Sequence, residues 1–189
     1  MSSNKIYFDN AATTFVDKSI LESFNKAIDL YPGNPSSIHK YGQDSSRVIE
    51  KSRDLIISSL GLFDHEVVFT SGATEANNLA IKGFALAHRT RGKHIIVSEV
   101  EHPSILETAR ELERDFGYRV SYLHIDSNGK VSLDELKSLI EEDTFLVSIM
   151  AVNNEIGSVN NIEEIAKYLK TFPKIVFHVD GVQALGKLV

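Results

Sequence analysis

The sequence predicts an α/β fold, a mostly parallel sheet flanked by helices. Three observations lead there. Short runs rich in Val, Ile, Phe and Tyr recur along the chain, longer amphipathic patterns separate them, and the helical patterns open at recognisable caps. Alternation of this length calls for crossover connections, which make neighbouring strands parallel and set helices over both faces of the sheet.

The strand candidates are Ile6–Phe8, Glu66–Thr70, His94–Ser98, Arg119–His124, Phe145–Met150 and Lys174–Val179. All are short and β-branched or aromatic in character. Between Gly42 and Gly61, Val48, Ile49, Leu55 and Ile56 form a seven-residue repeat that predicts a helix. Pro103 suits the first turn of a helix running to about Asp115, because its missing N–H has no partner to lose there. Ser132 with Glu135 has capping-box spacing ahead of Leu136 and Ile140. Asn161 with Glu164 repeats it, and Ile162, Ile165, Ala166 and Leu169 then make one apolar face.

A chain of 189 residues suits one domain or a piece of a larger protein. Its 42% hydrophobic and 24% charged residues are the balance of a globular protein rather than a disordered tail. With no cysteine there is no disulfide, no thiolate metal site and no cysteine nucleophile, and no metal ligand is assigned. A net charge of −6 gives no footprint for nucleic acid or an anionic membrane. The longest apolar runs, such as Phe145 to Val152, fall far short of a membrane span, and Met1–Lys5 lacks the apolar stretch of a signal peptide. The expectation is a soluble cytoplasmic protein.

Ligands of parallel α/β sheets collect at the carboxyl ends of the strands. Four candidates end in unusual polar clusters there. Thr70 is followed by Ser71-Gly72-Ala73-Thr74-Glu75, a glycine turn into a helix whose Ala73 and Thr74 amides suit a phosphate. The same residues also suit a capped helix with no ligand. His102 follows the His94–Ser98 run and is placed to stack on a flat ligand or move a proton, or else to serve as a cap or surface residue. Asn153 and Asn154 follow the Phe145–Met150 run, where turn chemistry is the simpler account. Asp180 closes the last candidate strand, with Gln183 three residues on. A buried carboxylate needs a partner, and a ligand cation such as a pyridinium nitrogen or a side chain from elsewhere in the fold would serve.

The segments Tyr7-Phe8-Asp9-Asn10-Ala11-Ala12-Thr13-Thr14, Gly33-Asn34-Pro35-Ser36-Ser37-Ile38-His39, Phe69-Thr70-Ser71-Gly72-Ala73-Thr74-Glu75, Val100-Glu101-His102, Val152-Asn153-Asn154-Glu155-Ile156-Gly157 and His178-Val179-Asp180-Gly181-Val182-Gln183 resemble the cysteine desulfurases. These are class V, fold-type I enzymes of pyridoxal 5′-phosphate that supply sulfur for iron–sulfur clusters and thiolated RNA. The resemblance runs through the whole chain in order.

It implies that Ala73 and Thr74 bind the cofactor phosphate. His102 would stack on the ring and assist proton transfer, and Asp180 would pair with the ring nitrogen. Asn154 and Gln183 would bond the ring side near the phenolic oxygen, and Asn10 would line the substrate entrance. Residues 1–15 would form an N-terminal arm that packs with the small domain in relatives, and residues 16–189 an incomplete large domain. The substrate would be L-cysteine, the whole enzyme a homodimer, and the partners sulfur-acceptor or scaffold proteins. The family's Ser-x-His-Lys segment, its substrate-carboxylate arginine and its persulfide-forming cysteine are expected beyond Val189, so these residues alone should not perform the reaction. Selenocysteine lyases and other class V aminotransferases share the same motifs, although Asn153-Asn154-Glu155-Ile156-Gly157 leans towards the desulfurases. A non-catalytic subunit or one half of a split enzyme is the reading from a different class.

Overall fold

The computed structural model describes residues 6–188. The Met1–Lys5 stretch and Val189 lie outside them. The chain divides into two compact units, Met1–Phe69 and Thr70–Val189.

The first unit holds α1 (Lys18–Leu30) and α2 (Lys40–Leu60). Asp17 caps α1, its Oδ1 accepting from the Ser19 amide at 2.8 Å. Ile20, Leu21, Phe24 and Ile28 fall on one stripe of α1, yet all four are exposed. His39 caps α2 by accepting from the Gly42 amide at 3.4 Å, and Gly61 ends the helix in the left-handed region. Gly42 has a packing reason: a Cβ there would stand 2.7 Å from the Asn34 carbonyl oxygen of the loop laid against the helix start. Of the seven-residue repeat, Val48, Ile49 and Ile56 are half-buried and Leu55 is exposed.

Two strand expectations are corrected. Neither Ile6–Phe8 nor Glu66–Thr70 is a strand. Their composition suits a sheet, but a strand exists only with a ladder partner, and among the described residues none pairs with them. Tyr7 instead bonds locally to the Asp9 and Thr13 carbonyls, and the Val67 carbonyl accepts from the Arg53 guanidinium. Val68 and Phe69 are consequently left exposed.

The second unit is the expected parallel sheet. A continuous helical segment comprises α3 (Ala73–Asn78), a π-helical turn (Leu79–Gly83) and α4 (Phe84–Ala87). Then follow β1 (His94–Ser98), α5 (Pro103–Phe116), β2 (Arg119–Leu123), α6 (Leu133–Leu139), β3 (Thr144–Ser148), α7 (Ile162–Leu169) and β4 (Val176–His178). The strand order is β2-β1-β3-β4, and every pairing is parallel. The two capping-box helices form as expected, with Ser132 Oγ accepting from the Glu135 amide and Asn161 Oδ1 from the Glu164 amide. Pro103 sits in the first turn of α5.

Each face of the sheet carries a core. Ile95, Val97, Phe145 and Leu146 pack with Ile81, Ala85, Ile105, Ala109 and Leu112 on one side. On the other, Ile96, Val147 and Ile149 meet Leu136, Ile165 and Leu169. Phe145 and Leu146 share a face because the register shifts there: His94 pairs with Thr144 and Ile95 with Leu146, so Phe145 is the extra residue. All five residues of β1 and of β3 are buried, which fixes the central strand ends that carry the polar clusters.

Candidate active site

The carboxyl ends of β1, β3 and β4 converge. The parallel ladder runs past β4, with the Ala151 amide donating to the Asp180 carbonyl at 2.9 Å. Asp180 is 6% exposed. Its Oδ1 accepts from the Val182 amide at 2.9 Å and its Oδ2 from Asn77 Nδ2 at 3.0 Å. The partner expected from elsewhere in the fold is therefore a neutral amide, and Asp180 has no cation partner among the described residues. Each oxygen keeps lone-pair capacity for a further donor.

Asn77 has a second bond. Its Nδ2 also donates to Ser104 Oγ at 3.0 Å. Because Ser104 Oγ accepts there, its own proton is free for His102 Nδ1, 2.9 Å away. The Ser104 amide points to the same Nδ1 at 3.1 Å. Two donors aimed at Nδ1 select the tautomer with the imidazole proton on Nε2. His102 is thus the N-cap of α5 and also the end of a chain of hydrogen bonds that starts at Asp180.

The Ser71–Glu75 corner behaves as an open helix start. Glu75 takes the Ser71 amide at 2.7 Å and the Ser71 hydroxyl at 2.6 Å, bonds that hold its carboxyl below the ordinary carboxylate value. The first-turn amides of Ala73 and Thr74 have no intrahelical acceptor and remain available to an anion. Asn77, one turn further along the same helix, ties this corner to Asp180.

Asn154 is half-buried, with its Nδ2 3.5 Å from Glu155 Oε1. The buried amide of that cluster is Asn153, which accepts from the Glu155 and Ile156 amides and donates to the Val100 carbonyl at 3.0 Å. Gln183 is half-buried and accepts from Lys187 Nζ at 2.7 Å. Lys187 is an exposed residue of the turn, as its spacing from Asp180 suggests. Asn10, exposed, lies in the first unit, and its carbonyl accepts from the Thr14 hydroxyl. No cluster of three or more metal-ligating side chains occurs among the described residues, nor any helix long and apolar enough to cross a membrane.

Sequence reasoning missed Asn77 and Ser104. The signal was present: Asn77, Ile81 and Ala85 recur every four residues, so a polar residue occupied a place in a buried stripe. Ser104 likewise opens the buried face of α5 that continues through Ile105, Thr108, Ala109 and Leu112.

A family model described as aminotransferase class-V matches residues 6–189. A NifS/IcsS protein homolog of Lactobacillus delbrueckii subsp. bulgaricus is 50% identical over 96% of this chain and 47% of its own length. A putative cysteine desulfurase IscS 1 of Bacillus subtilis is 45% identical over 97% of this chain and 48% of its own. Among solved structures, a NifS-like protein superposes with a TM-score of 0.87 at 40% identity, over 92% of this chain and 48% of that one. A protein described as SspA in complex with cysteine gives 0.82 at 37% identity, over 92% of this chain and 49% of that one. The chain spans about half the length of the curated relatives it matches.

Proposed function

The chain belongs to the class-V aminotransferase family, and from that premise we propose that it is the N-terminal part of a cysteine desulfurase. The whole enzyme would use pyridoxal phosphate to take sulfur from L-cysteine, giving alanine and an enzyme persulfide for iron–sulfur cluster or thio-RNA assembly. The observation that carries the reading is the buried Asp180 carboxylate, held by two neutral donors and wired through Asn77 and Ser104 to His102.

The residues fit the cofactor. A buried acid without a cation suits a protonated ring nitrogen, and free helix-start amides one turn away suit a phosphate. When bound, the cofactor supplies an electron sink for the charge left as the substrate loses its Cα proton. Asp180 holds the proton on the ring nitrogen, and Asn77 with the Val182 amide fixes the carboxylate that does so. Ala73 and Thr74 hold the phosphate through their amides. His102, braced by Ser104, offers its ring face for stacking and a proton at Nε2. Asn154 and Gln183 would supply amide hydrogen bonds to the cofactor ring. Residues 1–15 would form an N-terminal arm and residues 16–189 an incomplete large domain.

These residues alone do not complete the reaction. The sequence holds no cysteine to accept sulfur, and Lys187, the first lysine after Asp180, is turned to Gln183. We assign the cofactor lysine and the persulfide cysteine to the other half of a cytoplasmic, homodimeric enzyme, which passes sulfur to acceptor or scaffold proteins. The similar SspA structure is described as a complex with cysteine, which supports L-cysteine as the substrate proposed here.

The test is complementation. Mixing the chain with a polypeptide carrying the other half of such an enzyme should yield a visible band that borohydride removes, together with alanine release from cysteine. Alanine release by the chain alone, or no band with the other half present, contradicts the proposal.

A further inference from the structure

Glu101 lies between β1 and His102 and takes no part in the chemistry above. It is 3% exposed. Its Oε1 accepts from the Ser98 hydroxyl at 2.8 Å and from the Met150 amide at 2.6 Å. Oε2 is sealed from solvent with no hydrogen-bond partner. From β1 it faces the Ser98 hydroxyl, from the segment after β3 the Met150 amide, and from the segment after β4 the charge of Asp180. Among the described residues it forms no ion pair.

An ionised Glu101 would bury a charged oxygen that has no partner and set a second negative charge against Asp180, and a proton on the carboxyl removes that charge. We propose that Glu101 is a positioning residue, a neutral carboxylic acid that clamps the end of β1 to the end of β3 and leaves Asp180 the one buried anion of the site. The clamp acts on the functional groups directly. Glu101 adjoins His102, and the Val100 carbonyl before it is held by Asn153, so the segment that aims the imidazole is pinned from β3 twice. Burial pushes the carboxyl up to about 7, against the lesser pull of its two hydrogen bonds, and the Asp180 charge adds to the rise.

The folded value lies above the ordinary 4.5, so the folded chain keeps a proton that the unfolded chain has released. The contribution to stability is full below 4.5 and is lost as pH rises through about 7. What Asp180 serves rests on the cofactor reading, whereas the state of Glu101 is measurable without it.

The experiment compares the chain with E101Q and E101A. Glutamine keeps a neutral side chain with an acceptor oxygen, and alanine removes the clamp. Carboxyl carbon NMR on glutamate-labelled chain should show one signal with a midpoint near 7, absent from E101Q. The urea midpoint of the wild type should fall relative to E101Q as pH rises from 4.5 to about 7. Over the same window, pyridoxal phosphate affinity should fall for the wild type and hold for E101Q. E101A should bind at least about tenfold more weakly than E101Q at every pH, the equivalent of about 1.4 kcal/mol. Glutamates that all titrate in the ordinary acidic range, or a wild-type minus E101Q difference flat with pH, overturn the proposal. Failure of all three chains to bind pyridoxal phosphate, even with the other half present, sinks the cofactor reading, and the NMR and urea results still decide the clamp.

Discussion

Asn77 and Asp180 stand 103 positions apart in the chain and are joined by a 3.0 Å hydrogen bond that closes the second unit across the strand ends. One amide group serves two acceptors, the Asp180 carboxylate and the Ser104 hydroxyl. It links the Ala73–Thr74 helix start to Asp180 and, through Ser104, to His102. Asn77→Leu, similar in volume, removes both bonds. A buried acceptor left without its donor costs about 1–3 kcal/mol, more for a charged one. Denaturant unfolding should show a loss of that size, and pyridoxal phosphate affinity should drop in parallel. A variant as stable and as tightly binding as the wild type would show that the link is incidental.

Ala73 permits a test of the helix-start amides that leaves the fold in place. It is the first residue of α3, where proline is tolerated, and Gly72 before it is extended, the conformation a residue preceding proline prefers. Ala73→Pro should therefore keep the melting temperature while removing one donor from the anion site. Affinity for pyridoxal phosphate should fall roughly 10- to 150-fold, in line with loss of a charge-assisted hydrogen bond of roughly 1.5–3 kcal/mol. Affinity for pyridoxal, which carries no phosphate, should not change. Equal losses for both ligands would place the phosphate elsewhere.

His94 lies at the other end of β1 and is a structural histidine. It is 1% exposed, with Nδ1 2.7 Å from Thr144 Oγ1 and Nε2 2.9 Å from Ser121 Oγ, so it spans β2, β1 and β3. Burial pushes its pKa below the ordinary 6.5. The unfolded chain then takes up protons that the folded chain refuses. Stability from this group is present above 6.5 and is lost as pH falls through the lowered folded value. His94→Gln cannot be protonated, so the urea midpoint of the wild type should fall relative to that variant on acidification. A difference unchanged by acid would contradict the assignment.

Periodicity and caps made the second unit legible. The capping boxes at Ser132 and Asn161, Pro103 and the four central strand runs all stand where local rules put them, because each depends on near neighbours. Ile6–Phe8 and Glu66–Thr70 were not legible, since a strand needs a partner that local composition does not specify. The site divides along the same line. Asp180, His102 and the Ala73–Thr74 corner stand out as polar groups directly after apolar runs. Asn77 and Ser104 do not, because their importance lies in contacts 27 and 103 residues away in sequence.

In the proposed enzyme, Asp180 meets a protonated ring nitrogen. Pyridoxal phosphate isotopically labelled at that nitrogen, bound to the chain with the other half of the enzyme present, reports this directly by NMR. The wild type should show a protonated ring nitrogen at neutral pH, and Asp180→Asn, which keeps the shape and the Asn77 contact region but not the charge, an unprotonated one. The same nitrogen signal in both proteins, or no saturable binding to the wild type, would contradict the account.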